Sequence, residues 1–445
     1  MLSRNIRSFL GETALYAVGI FLMKGVSLVM LPVYTHYLSP EEYGRLEVIV
    51  VFSNLASIFL GFGLVEALYR YVGLATQDEC KKQHAAECLL LAVIIAAIAY
   101  IFFHFFSSAI ALYLPGNITE HEIYLLGVAL ALGGVVNVPL AWVRITARAG
   151  LFFKVTMAKV ILQVAMSFYW LTQGLGVESI LASGAISTVV IACYLCQLQY
   201  RETGFKFSTA NLKSIVNYGW PILIGGAATF ALAGLDRWLL AEYFGAEDIA
   251  TYAIALKFAL VPVLLIQPFT LWWYPKRFSV LQQTDGVILN AKFATFGAVL
   301  AVSMCALLGL IGPILIQWLT PREYHHAANL LPGLLLCTSL KLISELLNLG
   351  CYIDANSQKQ MVINMVASVV GALLLFVLIP NYHVVGAIAS LLVAYSVRTF
   401  LFYFHSQRRL YLPYKLTYLF SALSAFVLIT FIGQHLEAPL WLAAK

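Results

Sequence analysis

Cys88-Leu-Leu-Leu-Ala-Val-Ile-Ile-Ala-Ala-Ile-Ala-Tyr-Ile-Phe-Phe-His-Phe-Phe-Ser-Ser-Ala-Ile-Ala-Leu-Tyr-Leu114 runs without a single Asp, Glu, Lys or Arg. A helix needs about 20 apolar residues to cross a bilayer, and this stretch exceeds that. It shows no alternation of apolar and polar residues, so it reads as a helix and not as a barrel strand. Inside lipid only helices and closed barrels satisfy the backbone. Similar stretches lie on both sides of it, near 12–37, 46–69, 122–144, 151–173, 177–199, 214–242, 248–273, 289–319, 327–350, 361–380, 383–406 and 414–434. The 445-residue chain is 61% hydrophobic and 11% charged, too little polar surface for a water-soluble protein of that length. The expectation is an all-α polytopic membrane protein of thirteen spans. The apolar N-terminal stretch is read as a retained first helix, because it is too long for a signal peptide and carries Lys24.

Loop charges set the expected orientation. With Arg4 and Arg7 in the cytoplasm, the loops on that side carry 17 Lys and Arg residues, against 3 on the other side (Arg45, Arg322 and Lys445). That is a strong positive-inside bias. The net charge of +6 then reflects topology and contact with inner-leaflet lipid, and no nucleic-acid partner is expected.

The chain repeats itself. Tyr37-Leu-Ser-Pro-Glu-Glu-Tyr-Gly-Arg45 aligns with Tyr243-Phe-Gly-Ala-Glu-Asp-Ile-Ala-Thr251, so Glu41 and Glu42 fall on Glu247 and Asp248. Both copies lead into a long apolar segment. Six spans separate them, so both start on the same side of the membrane, as in a parallel repeat about the membrane normal. This predicts a six-helix lobe over 1–205, a second over 206–410, and about one extra helix with a tail over 411–445.

Charges within spans are costly, at about 2.5–3.5 kcal/mol each at mid-bilayer. The bases are Lys24, Lys159, Arg237, Lys257, Lys341 and Arg398; the acids are Glu66, Asp236 and Glu345. Lys341, Ser344, Glu345 and Asn348 follow i, i+3, i+4, i+7 spacing and share a helix face, which Thr338 extends. That stripe suits either a buried Lys341–Glu345 pair or a cavity wall that touches substrate, and its length favours the wall. Lys159 and Lys257 lie nearer helix ends, where snorkelling is the competing explanation. Asp236 and Arg237 are consecutive and point about 100° apart, so each needs another partner. Six bases against three acids leave a cationic surplus, which fits an anionic ligand.

No cofactor or metal site is expected: Cys193-Tyr-Leu-Cys196 has no second pair, and His325-His326 reads as interfacial. No Walker loop, nucleophile elbow or large loop suggests an enzyme.

The segments Leu31-Pro-Val-Tyr-Thr-His-Tyr-Leu-Ser-Pro-Glu-Glu-Tyr-Gly44 and Gly61-Phe-Gly-Leu-Val-Glu-Ala-Leu-Tyr-Arg-Tyr71, with Leu235-Asp-Arg237, resemble the polysaccharide biosynthesis family. These are the Wzx-type O-antigen flippases of the multidrug/oligosaccharidyl-lipid/polysaccharide exporter superfamily. The resemblance implies a V-shaped pair of six-helix lobes in the bacterial inner membrane. It implies flipping of undecaprenyl-pyrophosphate-linked oligosaccharide for lipopolysaccharide or related assembly, coupled to an ion gradient. A polysaccharide polymerase and a chain-length regulator are the implied partners besides membrane lipid. Family members have 12 or 14 spans, so the thirteenth here is a departure. On this reading Lys24, Lys341 and Arg398 contact pyrophosphate or sugar acids, with Arg237, Lys159, Lys257 and Asn348 as further substrate contacts. Asp236, Glu66 and Glu345 set ion coupling. The rivals are a multidrug cation antiporter, which favours acids in its cavity, a lipid II flippase, which predicts an essential gene, and a membrane glycosyltransferase or ligase, which predicts sugar transfer by the pure protein.

Overall fold

The computed structural model describes residues 25–26, 28–204, 208–274, 276–352 and 358–442. All regular structure among them is helical. Nine helical runs in the described residues are long and apolar enough to cross a membrane, and the protein is a multi-pass membrane protein. One of these runs, Lys359–Arg409, holds two of the expected spans. His383, at φ 53° and ψ −136°, breaks it, and Gly386 packs against the Leu378 carbonyl where a side chain would collide. Most of the expected first span, Lys24 included, lies outside the described residues.

The chain forms two compact units, Met1–Phe230 and Ala231–Lys445. The division falls within a helix that follows the 201–213 connector, beyond the 205/206 position of the sequence expectation.

In the first unit, α1 (Leu31–Tyr37) ends at extended Leu38 and α2 (Pro40–Gly61) starts at once. Ser39 caps it reciprocally: Glu42 N donates to Ser39 Oγ at 3.2 Å, and Ser39 N donates to Glu42 Oε2 at 2.9 Å. Pro40 stands at the first helical position, where its missing N–H costs nothing. The repeat copy behaves alike. In the second unit α10 (Leu235–Phe244) ends at Gly245 (φ 95°), and α11 (Ala246–Ala259) begins with Glu247 and Asp248 in its first turn. Acids there oppose the positive end of the helix dipole. The matching segments are thus the same helix–turn–helix junction.

Phe62 (φ 45°) and Gly63 (φ 63°) then break the chain between α2 and α3 (Leu64–Leu74). Four further helices complete the first lobe's bundle: α4 (Asp78–Tyr113), α5 (Glu120–Ala131), α6 (Gly133–Ile145) and α7 (Ala149–Thr172). They pack with α8 (Gly176–Thr203), and α9 (Thr209–Ala233) follows. Its core joins Leu64, Leu68, Leu89, Val138, Trp142 and Leu195. Small residues carry the close approaches, as expected where lipid gives no hydrophobic drive between helices. Gly127 takes the Phe103 ring, and Gly219 of α9 takes the Phe62 carbonyl oxygen, which a Cβ would strike. Gly219→Ala is expected to cost about 1–3 kcal/mol by overpacking. Thermal unfolding of the detergent-purified protein measures it against Gly225→Ala, whose added methyl meets nothing within 4 Å. Equal midpoints for the two variants would remove the close contact.

In the second unit, Pro262 and Pro268 start two short helices, α12 (Val261–Leu265) and α13 (Gln267–Trp273). Proline cannot donate a backbone hydrogen bond, so the span is segmented there. Next come α14 (Arg277–Leu281), α15 (Gly286–Leu319), α16 (Ala327–Leu346), α17 (Gln358–Arg409, broken at His383) and α18 (Leu416–Leu442). Thr338 Oγ1 donates to the Ala259 carbonyl at 3.0 Å, and Thr399 Oγ1 to the Leu340 carbonyl at 3.0 Å. These bonds fasten α16 to α11 and α17.

Candidate functional site

The polar stripe on α16 is the centre of a network in the second unit. Ser344 is fully buried. Its hydroxyl donates to the Lys341 carbonyl at 2.6 Å and accepts from Arg398 Nη1 at 3.0 Å. Arg398, on the second arm of α17, donates through Nε to Asn364 Oδ1 on the first arm at 2.9 Å. Its guanidinium also lies over the Phe402 ring, 5.4 Å from the centroid. Glu345 Oε1 stands 3.7 Å from Arg398 Nη1. That is longer than the 2.7–2.9 Å typical of a charge-assisted hydrogen bond. The Arg398 side chain is 13% exposed and that of Glu345 33%, so the carboxylate reaches the edge of the network.

Asn348, one turn past Ser344, accepts from Arg277 Nη1 at 3.1 Å. The Arg277 guanidinium is held between the rings of Tyr274 and Tyr352, at 4.9 and 4.8 Å. Tyr274 Oη donates to the Glu345 carbonyl at 3.4 Å. The proline-broken run 261–273 brings Tyr274 and Arg277 to the end of α16.

A second buried cluster lies in the same unit. Tyr252 donates its hydroxyl to Asp236 Oδ2 at 2.6 Å, with both residues inside the protein. Arg237 Nε stands 4.0 Å from Asp236 Oδ1, and Arg237 Nη2 donates to the Ala233 carbonyl at 2.6 Å. Tyr395 lies one turn before Arg398 on the same arm, and its carbonyl accepts from Thr399 Oγ1 at 2.7 Å.

The structure therefore gathers Glu345, Asn348 and Arg398 in one network, with Asp236 and Arg237 in a second one of the same unit. Lys341 shares the helix, and both it and Lys257 make interactions of their own. Lys159 and Glu66 belong to the first unit. Glu66 is exposed in the first turn of α3, near Tyr69. Lys159 lines a cavity of about 310 Å³ inside that unit. Lys24 lies outside the described residues.

Several residues escape the sequence argument. Arg277 counts there among the cytoplasmic loop cations, and Asn364 is not singled out. Glu47, Glu87 and Glu122 sit at the edges of the expected spans, yet are 1%, 0% and 1% exposed. Glu122 pairs with Arg45 at 3.3 Å, and Glu87 accepts from Gln83 at 3.1 Å with His84 Nδ1 3.4 Å away. Lys292, on α15, adds a base that the cationic surplus left out. Once these groups are counted the surplus of positive charge shrinks. Among the described residues no group of three His, Cys, Asp or Glu could hold a metal ion.

The fold is shared with solved transporters. The lipid II flippase MurJ in an inward closed conformation matches with a TM-score of 0.71 over 96% of this chain and 100% of that one, at 10% identity. An inward-facing multidrug resistance MATE family transporter of the MOP superfamily matches with a TM-score of 0.63 over 89% and 98%, at 15% identity. Among curated proteins, the succinoglycan biosynthesis transport protein ExoT of Rhizobium meliloti is 23% identical over 260 residues, 58% of this chain. That match spans about half, 51%, of the Rhizobium protein. The Lsg locus putative protein 1 of Haemophilus influenzae is 22% identical over 70% of this chain and 74% of its own length. The polysaccharide biosynthesis protein family matches residues 33–286, more than half of the sequence and the whole of the first repeat junction, and the chain belongs to that family.

Proposed function

We propose that this protein moves a lipid-linked oligosaccharide, carried on undecaprenyl pyrophosphate, from the inner to the outer leaflet of the bacterial inner membrane. The N-terminus is cytoplasmic, and the glycan crosses chemically unchanged. The observation that carries this reading is the Arg398–Ser344–Asn364–Glu345 network, with Arg277–Asn348 beside it, inside the helices of a membrane exporter fold. Intramembrane ionisable groups are kept for ligand or ion pathways, because they are expensive there. Arg398 has already spent Nε and Nη1, and Nη2 donates to nothing among the described residues. An incoming phosphate oxygen takes that donor and competes with the loosely held Glu345 for the same guanidinium. Asp236, with its Tyr252 donor, is the ion-coupling group, and alternating exposure of the two sides completes the cycle. A polysaccharide polymerase and a chain-length regulator act on the product.

Deleting the gene and identifying the accumulated lipid by mass analysis tests this directly. The expected result is a pyrophosphate-linked oligosaccharide enriched on the cytoplasmic leaflet. Loss of surface polysaccharide without such a lipid would reject the reading.

One observation favours a second reading. The buried carboxylates Glu47, Glu87, Glu122 and Asp236 are the residue type a multidrug cation antiporter uses. Cationic-dye efflux that disappears on deletion, with surface polysaccharide intact, would select it.

A further inference from the structure

The first unit holds a charged cavity that the network around Arg398 does not use. It has a volume of about 310 Å³. This is the low end of small-molecule sites, about 300–1,000 Å³. Thr156, Lys159 and Gln163 enter it from α7 at i, i+3, i+7 spacing, so they form one stripe. Asn137 of α6 and Tyr34 of α1 line it as well, and the remaining walls are aliphatic. Among the described residues no Asp or Glu lines the cavity, and Lys159 has no carboxylate partner. Thr156 returns its hydroxyl to the Phe152 carbonyl at 2.8 Å, while the Asn137 and Gln163 amides make no hydrogen bond among the described residues.

An ammonium held within a membrane span, with no counter-charge among the described residues, is costly. The lining offers one full positive charge, two amides and two hydroxyls. A pyrophosphate carries more charge than a single lysine can match. A monoanionic carboxylate on a hydroxyl-bearing ring matches four of the five groups: the carboxylate takes the ammonium, and ring hydroxyls take the two amides and the Tyr34 hydroxyl, which also hydrogen-bonds Ser167. We infer that the Lys159 cavity binds an acidic monosaccharide of the uronate class. This rests on the glycan-transport reading only for its biological source, an acidic sugar of the repeat unit.

The test is direct binding to the full-length protein in nanodiscs, which needs no transport. Sodium glucuronate, glucose and inorganic pyrophosphate are titrated against wild type, Lys159→Met and Lys159→Gln by calorimetry. The expected result is saturable glucuronate binding, at least tenfold tighter than glucose, and weakened at least tenfold in both variants. Both variants are first shown to be monodisperse with wild-type thermal midpoints, and Gln163→Leu serves as an independent lesion if either fails. Equal affinity for glucuronate and glucose overturns the inference. So does glucuronate affinity unchanged by Lys159 and Gln163 lesions, or Lys159-dependent pyrophosphate binding tighter than that of glucuronate. Binding as expected with no lipid-linked intermediate trapped in the deletion strain would leave this site standing and remove the flippase reading alone.

Discussion

Arg398→Gln is expected to reduce surface polysaccharide at least about 30-fold while the protein still reaches the membrane. The side chain bridges both arms of α17 to α16 through Asn364 Oδ1 and Ser344 Oγ, and its Nη1 stands 3.7 Å from Glu345 Oε1. Removing one member of a hydrogen-bonded charge pair costs about 2–5 kcal/mol, much of it from the partner left behind. Glu345 is 33% exposed, so water relieves part of that cost and the lower figure applies. About 2 kcal/mol corresponds to about 30-fold. Arg398→Lys is expected to fail as well, because one ammonium cannot reach Asn364, Ser344 and a ligand oxygen in the plane that the guanidinium fork sets. The double variant Arg398→Gln/Glu345→Gln separates structure from transport. It is expected to regain thermal stability, since neither charge is stranded, without regaining polysaccharide. Wild-type polysaccharide in Arg398→Gln at matched protein levels would remove this residue from the site.

Asp236→Asn is expected to leave a folded protein whose transport no longer follows an imposed ion gradient. The amide keeps the shape of the carboxylate and can still accept from Tyr252, but it cannot gain or lose a proton or hold a cation. Tyr252→Phe should act differently. It deprives a buried carboxylate oxygen of its 2.6 Å donor, at a cost of about 1–3 kcal/mol in stability. Asp236→Leu should be worse than either, because Arg237, 11% exposed and 4.0 Å away, loses its neighbour. Proteoliposome uptake of a fluorescent lipid-linked glycan, with and without proton and sodium gradients, measures the first effect. Thermal unfolding measures the other two. Gradient-driven uptake by Asp236→Asn equal to wild type would place coupling elsewhere.

The helices were legible because lipid imposes one rule on every residue of a span. Apolar length therefore located the nine membrane-length runs of the described residues, and the boundary between the expected spans 361–380 and 383–406 fell at the break that the structure puts at His383. The repeat junctions were legible for a similar reason: Glu41-Glu42 and Glu247-Asp248 are needed where a helix starts. The face shared by Lys341, Ser344, Glu345 and Asn348 followed from helical spacing alone. Its partners did not. Arg398, held by Asn364, and Arg277 meet that face from distant points in the sequence, and no local period encodes such a meeting. Glu87 and Glu122 were hidden because hydropathy assigns an acid beside an apolar run to the loop, whereas His84, Gln83 and Arg45 let these acids stay inside. The cavity at Lys159 depends on α1, α6 and α7 coming together, which the sequence does not state.

Glu122 does two jobs with one side chain. Its Oε2 accepts from Thr119 N at 2.8 Å and so finishes the start of α5, while Oε1 holds Arg45 of α2 at 3.3 Å. The two helix starts are riveted at one point and travel as a strut. Any rocking that α2 shares in a transport cycle has to be absorbed lower down, at the Phe62–Gly63 joint, where two successive left-handed residues have already given up helical stiffness.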